Sequence, residues 1–564
     1  MTLITKHFDY WPNRIPKTLT LPETTIYDNL LVTARRYPHK TAIYYYGATY
    51  TFKQLLDEVN LLAGYLEQKL GVEKGDKILL YMQNSPQFII SYYAILRANA
   101  VVVPINPMNK TEELGFFICD SEIKIAIIGQ EMYANVQPLL SSTPLNSIII
   151  ASYYDYLSED NCDDNIPQVV TEVPIKLEQS NNLISWREVM NSSYMPLRED
   201  GQADDLAVLP YTSGTTGVPK GCMHTNRTVQ ANTFGGQAWV NVSASAVFLM
   251  TLPLFHVTGM VHSMHIAILA GATTVVMTRW DREYARCIMK KEKVTHWTNI
   301  STMLIDFLAN PKLEKDDLSS LVYIGGGGAP LPEVIGEKLY SLTGLRYVEG
   351  YGLTETISQT HFNPPDRPKL QCLGIPSFDV DARIIDPQIL KELPDGEEGE
   401  IIVNGPQVFV GYYNREEDYQ NSYIEIDGKS FFRTGDIGKR DEEGYYFIVD
   451  RVKRMINASG YKVWPTEVES ILYKHPSVLQ ACVIGVPDPK RGETVKAFIV
   501  LKESDKGQIS EEEIIEWSKS QMAAYKYPRY IEFRNTLPMT TSGKLLWRKL
   551  QEEELESLKK DSIV

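Results

Sequence analysis

The chain is poor in the features that mark several large protein classes. Its six cysteines, Cys119, Cys162, Cys222, Cys287, Cys372 and Cys482, are scattered over 564 residues with no C-x-x-C pair. That pattern argues against a disulfide framework or a zinc site and for reduced thiols. No run approaches the ~20 apolar residues of a membrane-spanning helix. The opening stretch, residues 1–17, carries charges, Trp11, Pro12 and Pro16 and lacks the apolar core of a secretory signal. A soluble, cytoplasmic protein is expected, with surface contact to a membrane left open. A basic excess is missing as well. The 56 Lys and Arg against 71 Asp and Glu give a net charge of −15, which argues against general binding to nucleic-acid phosphates.

What is present points to a large globular α/β protein. A chain of 564 residues exceeds one compact core, so two or more domains are expected. Residues 25–130 alternate apolar strands (40–46, 77–82, 101–106, 123–128) with amphipathic helices (about 51–70 and 86–98), the rhythm of crossover units on a mostly parallel sheet. The acidic stretch 154–203 has little periodicity and reads as a solvated surface excursion. Further strands are expected at 246–256, ending at His256, and at 273–278, 294–299, 321–324 and 346–349. Short Val/Ile strands between Gly, Pro and Asp over 374–450, including 408–413, suggest a small antiparallel or barrel subdomain. A second α+β unit starts near Asp450, with helices at 465–475 and 510–522 and strands at 478–485 and 495–501.

The most informative stretch is Tyr211-Thr212-Ser213-Gly214-Thr215-Thr216-Gly217-Val218-Pro219-Lys220-Gly221, which leaves a short buried strand. Glycines let successive amides face one point, hydroxyls add donors, and Lys220 adds positive charge; such a loop binds oxyanions, phosphate above all. A plain surface turn needs no ordered alternation of Gly, Thr and Lys. A Walker A loop fails here, because Gly221 follows Lys220 where Ser or Thr is required and Pro219 replaces the preceding glycine. Further Gly-rich segments end strands at Gly325-Gly-Gly-Gly-Ala-Pro330 and Gly350-Tyr-Gly-Leu-Thr-Glu-Thr356. Ligands of open α/β sheets sit beyond the carboxyl ends of strands, so these loops open onto one crevice if their strands are parallel neighbours.

The 211–221 loop resembles the signature loop of the adenylate-forming superfamily, which includes acyl-CoA synthetases. Residues 349–356 are similar to its adenine and magnesium motif, 432–436 to its ribose motif, 450–460 to its hinge motif and 538–544 to its C-terminal lysine motif. Alone, Glu355 reads as a helix-start carboxylate and Asp436 as a turn residue; in this order the motifs reinforce one another. The resemblance implies a parallel-sheet N-terminal domain with a barrel-like subdomain, residues 1–450, and a mobile C-terminal domain, 451–564. It implies ATP, Mg²⁺ and coenzyme A as cofactors and a carboxylic acid as substrate. Thr212, Ser213, Gly214, Thr215, Thr216, Gly217 and Lys220 would hold the β and γ phosphates. Thr354 would bond the α-phosphate, and Glu355, with Thr216, the metal. Tyr351 and Gly352 would face adenine beside Gly327, Gly328, Ala329 and Pro330, while Asp436 and Arg451 would take the ribose. Lys453 corresponds to the hinge. Lys544 would serve adenylation, and the Gly460–Tyr461 side thioester formation.

For the acid, Phe255-His256-Val257-Thr258 stands where amino-acid-activating relatives carry an Asp for the substrate ammonium, so amino acids are disfavoured. The resemblance places His256 near the acyl pocket and thiol channel, against the plainer reading of a packed core histidine; His224 is a lesser pocket candidate. Pocket walls are expected from 297–302 and 325–328, with the glycines leaving room for an extended chain. The pattern looks most like medium- to long-chain fatty acid ligases. The alternatives are an aromatic acid, transfer to a carrier-protein thiol, luciferase-type oxygenation, and a non-catalytic nucleotide sensor. Oligomeric state is open, with a homodimer among the options.

Overall fold

The computed structural model describes residues 6–158, 165–177, 182–212, 218–328, 330–451, 454–458, 461–488, 492–539 and 545–561. The chain divides into two compact units, Met1–Ala382 with Val403–Phe432 and Glu443–Tyr446, and Arg383–Ile402 with Arg433–Glu442 and Phe447–Val564.

The first unit holds two large sheets. In the seven-stranded sheet the order is His224–Thr225, Leu206–Val208, Val101–Pro104, Lys77–Tyr81, Ile125–Gly129, Ser147–Ala151, Leu183–Ser185. All pairings are parallel except the first. Its crossover helices start where the sequence marks them. Thr51 caps Phe52–Gln68 in a reciprocal box with Gln54, the two bonds being 3.2 and 2.9 Å, which satisfies two otherwise orphaned amides. Residues 154–203 are more than a surface excursion, since Leu183–Ser185 forms the edge strand and Trp186 is buried. The anchor is too short to show a period in sequence.

The nine-stranded sheet contains β1 (Val247–Met250), β2 (Thr273–Val276), β3 (His296–Asn299), β4 (Tyr323–Gly327), β5 (Val348–Leu353) and β6 (Ser358–Phe362). In space β6, β5, β4, β3, β1 and β2 are neighbours in that order, and Thr41–Tyr45 follows β2. From β5 to Thr41–Tyr45 the pairing is parallel, and β6 returns antiparallel on β5. The strand expected to reach His256 stops at Met250; Pro253, which has no amide to donate, lies in the turn that follows.

A five-stranded sheet of Asp381–Ile385, Gly399–Asn404, Tyr423–Ile426, Lys429–Arg440 and Tyr446–Arg451 matches the expected small subdomain, its residues divided between the units. Residues 408–413 are not a strand; Tyr412 makes one isolated bridge to Cys222. The second unit packs helices Pro465–Leu472 and Glu511–Gln521 on a sheet of Ile456–Ala458, Tyr461–Val463, Val478–Asp488, Gly492–Leu501 and Tyr530–Phe533, close to the α+β reading. Among the described residues no helix is long and apolar enough to cross a membrane.

Candidate active site

The strands β5, β4, β3 and β1 are consecutive parallel neighbours, so the loops after them emerge at one sheet edge, as the crevice argument requires. They carry Thr354 and Glu355, the Gly328–Pro330 turn, Ser301, and His256.

The glycines at the end of β4 are demanded by backbone approach. A Cβ on Gly326 would lie 1.8 Å from the Asn299 carbonyl oxygen, one on Gly325 2.4 Å from that of Val348, and one on Gly327 2.5 Å from that of Gly350. Main chain fills the space that the sequence suggested was left for an acyl chain. Gly328 is different, since its φ of +88° needs glycine although nothing lies within 4 Å. Trp297, expected in a pocket wall, is fully buried and stacks on Trp280 at 5.8 Å. Glu349 of β5 links two loops, its Oε1 accepting the amides of Leu331 and Gln371, each at 3.1 Å. Burial pushes its carboxyl up to about 7, against the pull of those amides.

Thr354 and Glu355 sit in a 3₁₀ turn, Thr354–Thr356, between β5 and β6. Gly352 is obligatory, because a Cβ there would meet the Ser358 oxygen at 1.6 Å. Tyr351 is half-buried, its ring 5.7 Å from that of His361. The Glu355 carboxylate accepts from the Tyr412 hydroxyl at 2.9 Å and its carbonyl from the Phe409 amide at 2.8 Å. Burial first, and then the Glu355 charge, raise the Tyr412 hydroxyl well above the usual tyrosine range, so it stays a donor. Lys220 lies 5.2 Å over the Tyr412 ring and pairs with Asp418 at 2.6 Å. His224 is not a pocket residue: it is buried, and its Nε2 donates to the Thr354 carbonyl at 2.7 Å.

Thr212 pairs opposite Lys220, and Tyr211 opposite Gly221, in a short antiparallel ladder. Ser213, Gly214, Thr215, Thr216 and Gly217 lie outside the described residues, as do Ala329, Lys453, Gly460 and Lys544. Arg451 ends one strand and Tyr461 begins another. Asp436 is buried within Lys429–Arg440, its amide donating to the Thr434 hydroxyl at 3.1 Å. His256 is exposed, which removes the packed-core reading. Its Nδ1 accepts the Thr258 amide at 3.4 Å, while the protein around it lowers its pKa by desolvation.

Among the described residues no three His, Cys, Asp or Glu side chains form a metal cage. Magnesium does not need one, since it is commonly bound by one or two carboxylates plus substrate phosphates. A half-exposed carboxylate in a turn among hydroxyl donors fits such a hard cation. Sequence reasoning missed Tyr412, Glu349 and Asn232, whose roles depend on long-range contacts. The one available signal was the four-residue spacing of His224, Thr228 and Asn232, the last two on one helical face and His224 in the short strand before it.

Residues 30–413 match the family described as AMP-binding enzyme, and residues 467–544 that described as AMP-binding enzyme C-terminal domain. A long-chain-fatty-acid–CoA ligase of Bacillus subtilis (strain 168) is 37% identical over 557 residues, 97% of this chain and 98% of that protein. A feruloyl-CoA synthase of Amycolatopsis sp is 32% identical, covering 91% and 96%. ATP-bound MatB from Rhodopseudomonas palustris superposes with a TM-score of 0.81 at 27% identity, over 94% of this chain and 99% of that one.

Proposed function

The chain belongs to the AMP-binding enzyme family, and from that premise we propose that it is an AMP-forming ligase joining a long-chain fatty acid to coenzyme A. In the first step a carboxylate oxygen attacks the α-phosphorus of ATP, forming acyl-adenylate as pyrophosphate leaves. In the second the thiol of coenzyme A gives up its proton and attacks the acyl carbon, and AMP departs. The observation that carries the reading is the gathering of Thr354, Glu355, the glycine turn and His256 at one sheet edge.

Two anions must meet in the first step, so oriented donors and cations have to offset their repulsion. The Thr354 hydroxyl donates to the α-phosphate. Glu355 and Thr216 are the residues that would hold Mg²⁺, which would supply Lewis-acid neutralisation of phosphate oxygens. Residues 212–220 cradle the β and γ phosphates, Tyr351 stacks on adenine, and Asp436 and Arg451 bind the ribose. Residues 451–564 turn about Lys453, bringing Lys544 for adenylation and the Gly460–Tyr461 side for thioester formation, a gating scheme. The cytoplasm, where reduced cysteines persist, is the expected site of action, and light scattering tests for a homodimer. A feruloyl-CoA synthase among the relatives supports the second reading, an aromatic acid as substrate.

The test supplies acids from acetate to long-chain fatty acids and aryl acids with ATP, Mg²⁺ and coenzyme A. Pyrophosphate and AMP are expected, fastest with long chains; ADP and phosphate overturn the reading. Lys544→Ala should lose about 10²–10³-fold in adenylation, the scale for one preorganised charge-stabilising group, yet still convert synthetic acyl-adenylate to thioester. Equal loss in both half-reactions rules out the alternating scheme.

A further inference from the structure

The turn that carries Thr354 and Glu355 does not sit in relaxed backbone. Ile357 has φ 42° and ψ 47°, and Ser358 has φ 94°. Two successive non-glycine residues in this region, one of them β-branched, persist only where the surroundings over-determine them. What surrounds them is one face of helix α1 (Asn226–Trp239) and the strand leading into it. His224, Thr228 and Asn232 are each four residues apart and all buried. His224 Nε2 donates to the Thr354 carbonyl at 2.7 Å, and Asn232 Nδ2 lies 2.9 Å from the carbonyl oxygens of both Thr356 and Ile357. The Thr228 hydroxyl lies 3.2 Å from His224 Nδ1 and 2.9 Å from the Thr225 carbonyl, so its one proton serves these two acceptors while the contact seats the ring. Burial holds His224 at about 4, so the ring is neutral at ordinary pH. Gln359, just past the turn, donates back to the Asn232 carbonyl at 3.2 Å.

Three carbonyls of a four-residue segment are thus received by one polar stripe, while Phe409 and Tyr412 hold Glu355 from a different segment. We propose that the His224–Thr228–Asn232 stripe fixes where Thr354 and Glu355 stand toward the metal-bound triphosphate, with His224 the decisive positioning residue. The inference rests on the proposed role of Thr354 and Glu355. Lys220, in the short strand Lys220–Gly221, lies four residues before His224 in the next, His224–Thr225.

The experiment titrates Mg²⁺ at fixed ATP and saturating fatty acid and reads pyrophosphate release, and in parallel measures by calorimetry, with no acid present, the affinity of the protein for ATP with Mg²⁺, which should weaken in the same variants. His224→Leu removes the donor at similar volume. It should raise the Mg²⁺ needed for half-maximal rate, and lower the maximal rate, by about tenfold, the scale of one hydrogen bond whose acceptor is left unpaired. His224→Gln, which keeps an N–H at similar reach, should recover both to within about threefold. Thr228→Val loosens the ring without touching the turn and should shift the Mg²⁺ dependence the same way by about threefold; it decides the matter if His224→Leu does not fold. An unchanged Mg²⁺ dependence in folded His224→Leu or in Thr228→Val, or no recovery by Gln, overturns the proposal. Wild-type protein that releases no pyrophosphate with any acid instead overturns the ligase reading, and this inference falls with it.

Discussion

Two neighbouring parallel strands end in turns that differ in what they keep. At the end of β4 the chain deletes side chains, so that Gly325, Gly326 and Gly327 let main chain approach within distances no Cβ tolerates. β5 too ends on a glycine that main chain demands, Gly352, but the turn beyond it keeps its side chains and accepts strain, with Ile357 and Ser358 at positive φ. The difference follows from what each turn presents. A turn that offers only backbone to a ring edge loses nothing by being glycine. A turn that, on the proposed roles, offers a hydroxyl and a carboxylate, Thr354 and Glu355, needs its geometry imposed from outside, and His224, Asn232, Phe409 and Tyr412 supply the contacts. Glu349, near the start of β5, reaches instead to the loop after β4 at the Leu331 amide and to the loop at Gln371.

The comparison can be broken most severely at Gly326. An alanine there puts its Cβ against the Asn299 oxygen of the adjacent strand, and backbone in mid-sheet cannot give way cheaply. A loss of about 3 kcal/mol or more is expected, read from the urea midpoint of folded protein. A tolerated Gly326→Ala would mean the glycines are not there for backbone approach.

Glu349→Gln sharpens the comparison at the start of β5 through pH. Burial raises the folded carboxyl from 4.5 to about 7, so across that window the folded state keeps a proton that the unfolded chain has released. The stability it contributes is fully present below pH 4.5, declines as pH rises, and is lost above about 7. Glutamine cannot ionise and still accepts both amides. The variant should match wild type near pH 4 and exceed it by up to about 3 kcal/mol above pH 7. Parallel stability–pH curves would show that the carboxyl does not titrate in this window.

The smallest effect is at Gly328. Alanine there meets no atom within 4 Å and pays only for the left-handed backbone, about 1–2 kcal/mol. A loss as large as that at Gly326 would indicate contacts beyond the backbone angle.

Much of this was legible in the chain itself. Local rules placed the helix starting at Phe52 behind its Thr51 cap, the crossover rhythm, and the glycine-rich strand ends, because caps, periods and turn residues act over a few positions. The motif order pointed to one face, and Tyr351, Thr354, Glu355, Gly327 and Gly328 do come to one sheet edge. Sequence reasoning overreached where it assigned space or exposure. Trp297 went into the core, room beside the glycines was filled by backbone, and part of 154–203 became an edge strand. It also mistook His224 for a pocket residue, since a buried histidine and a lining histidine look alike until the partner 130 positions away is known.

The sequence by itself determined which residue types were available and where the chain could turn, because φ preferences, caps and hydrophobic periods are properties of short segments. Only the tertiary structure decided which carbonyl His224 would meet, that Tyr412 would bond Glu355, and that Glu349 would bridge two loops. Those choices depend on strand order and on the close approach of segments far apart in sequence, and a buried polar group takes whichever partner the fold brings within hydrogen-bond reach.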